Sequence, residues 1–185
     1  MRVRRFLLAA LLSFVAAGAA SAQAIDAARS SVSATFKQMG VPVEGKFKKL
    51  AGQVQYDPAN PAAAQAKVDV DVASFDLGDP QYNREVQQKD WFDGARFPAA
   101  SFVSSGVKAA GAGRLDVSGK LTIKGRSANV SVPLSARNEG GVTVFEGSVP
   151  IRRLAFAIGE GEWKDTALLA DEVLVKFHLV VPAGK

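Results

Sequence analysis

The stretch 66-AKVDVDVASF-75 alternates strictly: Val68, Val70 and Val72 fall on one side, Lys67, Asp69 and Asp71 on the other. Period two with that polarity marks a half-buried antiparallel strand, with one face on an apolar interior and the other in water. The same rhythm recurs in both directions. Upstream, 30-SSVSATFK-37 places Val32, Ala34 and Phe36 together against serine and threonine. Downstream, 113-GRLDVSGKLTI-123 aligns Leu115, Val117, Gly119, Leu121 and Ile123. The segments 129-NVSVPLSA-136 and 171-DEVLVKFHLVV-181 continue with Val130, Val132 and Leu134, then Val173, Val175, Phe177, Leu179 and Val181. Between the runs stand turn signals: Asp57-Pro58, Asn60-Pro61, Gly111 to Gly113, Gly125 and Gly140-Gly141. Evenly spaced strands joined by brief glycine turns predict an all-β barrel or sandwich.

One segment breaks the rhythm. In 79-DPQYNREVQQKDW-91, Asp79 is a candidate helix N-cap and Pro80 suits the first helical position. A short helix is expected there, after the third strand of this reading. An aromatic passage follows it, 89-KDWFDGARFPAASF-102, which leads back into a strand.

The chain opens with Arg2, Arg4 and Arg5, an apolar run from Phe6 to Ala20, and the small-x-small triplet Ala20-Ser21-Ala22. This is the pattern of a secretory signal peptide over residues 1–22, too short for a membrane span and cleaved near Ala22. The mature chain, 23–185, has the length of one domain with an ample core. The whole sequence carries +5, but three of its 23 Lys and Arg residues lie in the leader, leaving +2. So mild an excess argues against nucleic acid as a partner. Cysteine is absent, so disulfides, thiolate metal sites and thiol nucleophiles are excluded.

Candidate chemistry is sparse. His178, the single histidine, lies on a strand face opposite Phe177 and has no sequence-local base or orienter. With no second histidine or nearby acidic pair, no metal site is expected. The loop 159-GEGEWKDT-166 carries Glu160 and Glu162 beside Trp163; carboxylates near an aromatic can serve acid/base chemistry, but a solvated turn explains them more simply. No nucleophile elbow, phosphate loop or dinucleotide fingerprint occurs. The positive signal is distributed: 11 phenylalanines against two methionines, many near strand ends, with inward positions often only valine or alanine. A barrel of about eight strands encloses either packed side chains or one small ligand, so an ordinary core and an apolar cavity both fit this composition.

Six motifs, in order, resemble the YceI-like family of periplasmic polyisoprenoid-binding proteins. They are 25-IDAARSSVSATFKQMGVPVEGKF-47; 52-GQVQYD-57; 68-VDVDV to 107, containing Phe92, Asp93, Phe97, Pro98 and Phe102; Gly119-x-Leu121-Thr122-Ile123-x-Gly125; Arg153-x-x-Phe156-x-Ile158-Gly159; and 170-ADEVLVKFHLVV-181. The resemblance covers nearly all of the mature chain. It departs where Arg29 and Gln38 replace histidines common in the family, and where Ala155 and Ala157 replace an aspartate and a glycine.

The resemblance implies an extended, lipocalin-like antiparallel barrel of about eight strands, holding a long-chain amphiphile such as an isoprenoid quinone or polyprenyl lipid. Phe36, Phe47, Val70, Trp91, Phe92, Phe97, Phe102, Leu121, Phe156, Trp163 and Phe177 are the expected ligand-binding residues. It implies no catalysis, no metal and no cofactor beyond that lipid. Location in the periplasm, a role in transport, storage or stress response, and a homodimer all fit it. The competing expectations are a lipid-directed enzyme using the Glu160/Glu162 loop and a ligand-free structural protein.

Overall fold

The computed structural model describes residues 21–183; the expected signal segment up to residue 20 lies outside them. Among the described residues eleven strands form one sheet: β1 (Gln23–Ala24), β2 (Ser31–Gln38), β3 (Val41–Phe47), β4 (Leu50–Gln55), β5 (Gln65–Asp71), β6 (Phe75–Asp76), β7 (Ala99–Ala109), β8 (Arg114–Ile123), β9 (Arg126–Glu139), β10 (Val142–Arg152) and β11 (Leu169–Pro182). Every pairing is antiparallel, in the order β1-β4-β5-β7-β8-β9-β10-β11-β2-β3-β6.

The count of about eight strands is corrected to eleven, and the physical reason lies in the opening stretch itself. Residues 66–75 do not make one strand. β5 stops at Asp71, whose carboxylate accepts the Ala73 N–H at 2.9 Å, and Val72–Ser74 turn as a 3-10 helix. Phe75 and Asp76 then pair with Phe47 and Lys46 of β3, at the far end of the sheet order. The alternation continues through Val72, which stays buried, so its pattern does not betray the corner.

This corner curls the sheet shut. β3 and β4 are also consecutive, and the turn stitches them together: Lys48 N–H donates to the Ser74 carbonyl and Asp71 N–H to the Lys49 carbonyl. On the same side, Ile25 N–H donates to Gly52 of β4 and Asp26 N–H to Val180 of β11, so the N-terminal segment ties those two strands together. The result is an antiparallel barrel of lipocalin-like architecture with a helix, α1 (Pro80–Glu85), outside its wall. Asp79 caps that helix through the Gln81 and Tyr82 N–H groups, and Pro80 opens it, as the sequence predicts. By the corrected count the helix follows the sixth strand.

Each long strand turns its apolar set inward. Leu115, Val117 and Ile123 of β8, Val132 of β9, Phe145, Val149 and Ile151 of β10 and Val173, Leu179 and Val181 of β11 are all buried in one continuous core. Hairpins close both ends. Between β8 and β9, Lys124 and Gly125 both have positive φ (49° and 70°), the geometry of a tight two-residue turn.

Candidate functional site: an apolar cavity along the barrel axis

The barrel interior is not filled. A cavity of about 180 Å³ runs among side chains of β2, β3, β4, β5, β7, β8, β9, β10 and β11. Along β8 it is bordered from Leu115 to Ile123, which at ~3.4 Å per residue is about 27 Å. A space bordered along so much of one strand suits a flexible hydrocarbon chain. No charged side chain borders it. Phe47, Phe102, Leu121, Val130 and Phe177 point inward yet are only partly buried, because part of their surface faces this void.

Glycines opposite aromatics shape its walls. The ring of Phe102 lies where a Cβ on Gly119 would be, and the Phe177 ring would sit 2.6 Å from a Cβ on Gly147. Phe75 covers Gly45 in the same way. Only a residue without a side chain lets each ring lie flat against the neighbouring strand, and a ring laid flat leaves the axis open.

The two ends differ. At one end Tyr56, just beyond β4, and Gln65 at the start of β5 border the cavity. Tyr56 packs edge-on against Phe145, with ring centroids 5.1 Å apart. Burial, with the nearby Asp57 carboxylate, pushes its phenol pKa above the ordinary tyrosine value. At the other end Phe92 borders the cavity and stacks edge-on against Phe75 (5.4 Å) and Phe47 (6.2 Å).

Beyond Phe92, the segment 86–98 and the segment 153–165 form a cap held by two cations. Arg153, 3% exposed, spends all five guanidinium donors on backbone carbonyls: Ala170, Ile158, Gly159, Trp163 and Leu169, at 2.6–3.0 Å. Lys124 reaches from the β8–β9 turn to the Lys89 and Ala157 carbonyls, both at 2.7 Å, and to Glu160 at 3.4 Å. Gly159 and Glu160 N–H groups donate to the Asp90 carbonyl, joining the two segments directly.

Of the eleven expected site residues, Phe47, Val70, Phe92, Phe102, Leu121 and Phe177 border the cavity. Trp91, Phe97 and Trp163 belong to the cap instead: the two indoles meet at 5.4 Å, and Phe97 covers Gly125. Phe156 is core, 2% exposed, on the short helical turn after β10, and Phe36 packs against the core without reaching the void. Sequence reading missed Tyr56, Gln65 and Phe145 as lining residues, and Arg153 as the knot of the cap. Arg153 stands inside a motif already noted; Tyr56 and Gln65 flank the Asp57-Pro58 and Asn60-Pro61 turns, which fixes them at a barrel end.

The other candidates have structural partners. His178 Nδ1 lies 2.8 Å from Glu146, directly across the β10–β11 ladder on the outer face, and Glu146 also accepts from Arg137 at 2.6 Å. These two contacts, the histidine's first, hold the Glu146 carboxyl below the ordinary range. Glu160 is engaged by Lys124 and Glu162 is exposed. Among the described residues no cluster of three or more His, Cys, Asp or Glu could hold a metal, and no helix is long and apolar enough to cross a membrane.

Comparison with known proteins agrees with this architecture. The family described as "YceI-like domain" matches residues 23–181. A UPF0312 protein of Vibrio cholerae is 34% identical over 123 residues, which cover 65% of this chain and 65% of that protein, so the match spans just under two thirds of the relative. The crystal structure of Burkholderia cenocepacia BcnA superposes with a TM-score of 0.83 at 53% identity, over 84% of this chain and 98% of that one. A polyisoprenoid binding domain from Saccharophagus degradans superposes at 0.69 with 18% identity, over 86% and 97% of the two chains.

Proposed function

The chain belongs to the YceI-like domain family, and from that membership we propose that it is a binding protein that holds the hydrocarbon tail of a polyisoprenoid or similar long-chain amphiphile in its barrel. One observation carries this reading: an apolar cavity of about 180 Å³ inside the barrel, bordered among the described residues by no charged side chain. Water gains little in such a space, and an apolar guest gains its desolvation free energy. The polyisoprenoid binding domain from Saccharophagus degradans shares this fold, which supports the reading.

In this reading the tail lies along Phe47, Phe102, Leu121 and Phe177, and the head group rests beside Tyr56 and Gln65. The protein acts in the periplasm after removal of residues 1–22, as a carrier or store. The reading assigns it no catalysis, which is supported by Glu160 being tied into the cap by Lys124 and by His178 and Glu146 lying on the outer face.

Titration with amphiphiles of one head group and increasing tail length tests the proposal. Each buried methylene contributes about 0.8 kcal/mol, roughly a fourfold gain in affinity, until the cavity is full. Affinity independent of tail length would contradict it.

A further inference from the structure

Barrel walls are held by ladders of backbone hydrogen bonds, and one stretch of this wall lacks its ladder. β9 pairs with β8 from Arg126 to Ser135, and β10 pairs with β11 along its whole length. Between β9 and β10, pairing covers only Leu134–Glu139 against Val142–Gly147. Residues 129–133 and 148–152, which would oppose one another if that register continued, have no ladder between them and form an unladdered seam. Each lip carries an exposed proline, Pro133 and Pro150. Proline has no N–H to give a ladder and is tolerated where a strand is paired on one side only. The seam is thus written into the sequence.

It opens onto the cavity. Val130 and Val132 on one lip and Val149 on the other line the void. Outside lies a groove bordered by Pro133 and Ser148, and Leu134 and Phe177 border both the groove and the cavity. We infer that the β9–β10 seam is the portal through which the hydrocarbon chain passes sideways into the barrel. This rests on the lipid-binding reading and adds the route. Parting a paired section of wall would break a run of hydrogen bonds and leave their donors and acceptors unmet; parting the seam breaks none. A tail fed end-on would have to pass the Tyr56 end or the cap knotted by Arg153 and Lys124 and then slide along the cavity. A side opening admits it lengthwise.

The absence of cysteine allows a clean test. If the register continued past Leu134–Gly147, Ser131 and Pro150 would oppose each other, and both are exposed. Ser131→Cys and Pro150→Cys are introduced together and joined by a short, reducible thiol crosslinker. The control joins Gln53→Cys to Lys67→Cys, exposed partners across the paired β4–β5 ladder that border neither the cavity nor the groove. Transfer of a fluorescent polyprenyl amphiphile from phosphatidylcholine vesicles is then timed. The seam crosslink should slow uptake at least tenfold, reduction should restore it, and the control crosslink should leave it unchanged. Uptake at the wild-type rate in the seam-linked protein overturns the portal while leaving lipid binding intact. No uptake by any form, linked or unlinked, overturns both.

Discussion

Arg153 shows how a buried cation can be held without an ion pair. Its donors go to five carbonyls of the chain that caps the barrel, and burial pushes its pKa below the ordinary arginine value without discharging it. Arg153→Leu would strand those carbonyls, and each hydrogen bond to a charged group contributes about 1.5–3 kcal/mol. A loss of at least about 3 kcal/mol in denaturant unfolding is expected. Arg153→Lys should recover little, since an ammonium cannot present the planar fork. Asp76 is a second decisive residue. It accepts from Asn83, from the Gly78 N–H and from Lys48, and the Lys48 contact, the largest of these causes, helps hold its carboxyl far below the ordinary range. A depressed carboxyl stabilises the fold above its unfolded pKa of about 4 and loses that contribution as pH falls. The stability gap between wild type and Asp76→Asn should therefore be constant from pH 6 to 8 and shrink below about pH 4, as read by urea unfolding at each pH.

At the scale of elements, the aromatic-over-glycine pairs set wall thickness. A methyl on Gly119 collides with the Phe102 ring. Gly119→Ala should cost about 1–3 kcal/mol by overpacking, and it should push the ring toward the axis and weaken tail binding. Thermal unfolding and lipid titration read the two effects separately. Five of the eleven strands were legible in the sequence because alternation reports which face of a strand is buried: β2, β5, β8, β9 and β11 lie where period two placed them, and α1 lies where Asp79 and Pro80 announced it. Alternation does not report partners. Val72 keeps its rhythm while the chain leaves β5 and crosses to β3, so the corner, the two-residue strands and the final count needed the tertiary fold. The prolines of β9 and β10 were visible throughout, but their meaning depends on which strands face each other.

For the whole molecule, the central quantity is the empty volume at the axis. Phenylalanine alone does not reveal it: Phe102 borders the void from β7, against Gly119 of the neighbouring strand, whereas Phe156 is solid core on the helical turn after β10. Leu121 of β8 is partly exposed to the void, so Leu121→Trp should occupy that space with little loss of stability. It should lower lipid affinity at least tenfold, about 1.4 kcal/mol. Native mass spectrometry of the purified chain tests the central claim most directly, both as isolated and after incubation with a polyprenyl lipid. A one-to-one lipid adduct on the wild type, lost in Leu121→Trp, is the predicted result. A wild-type chain that carries no adduct under either condition would contradict it.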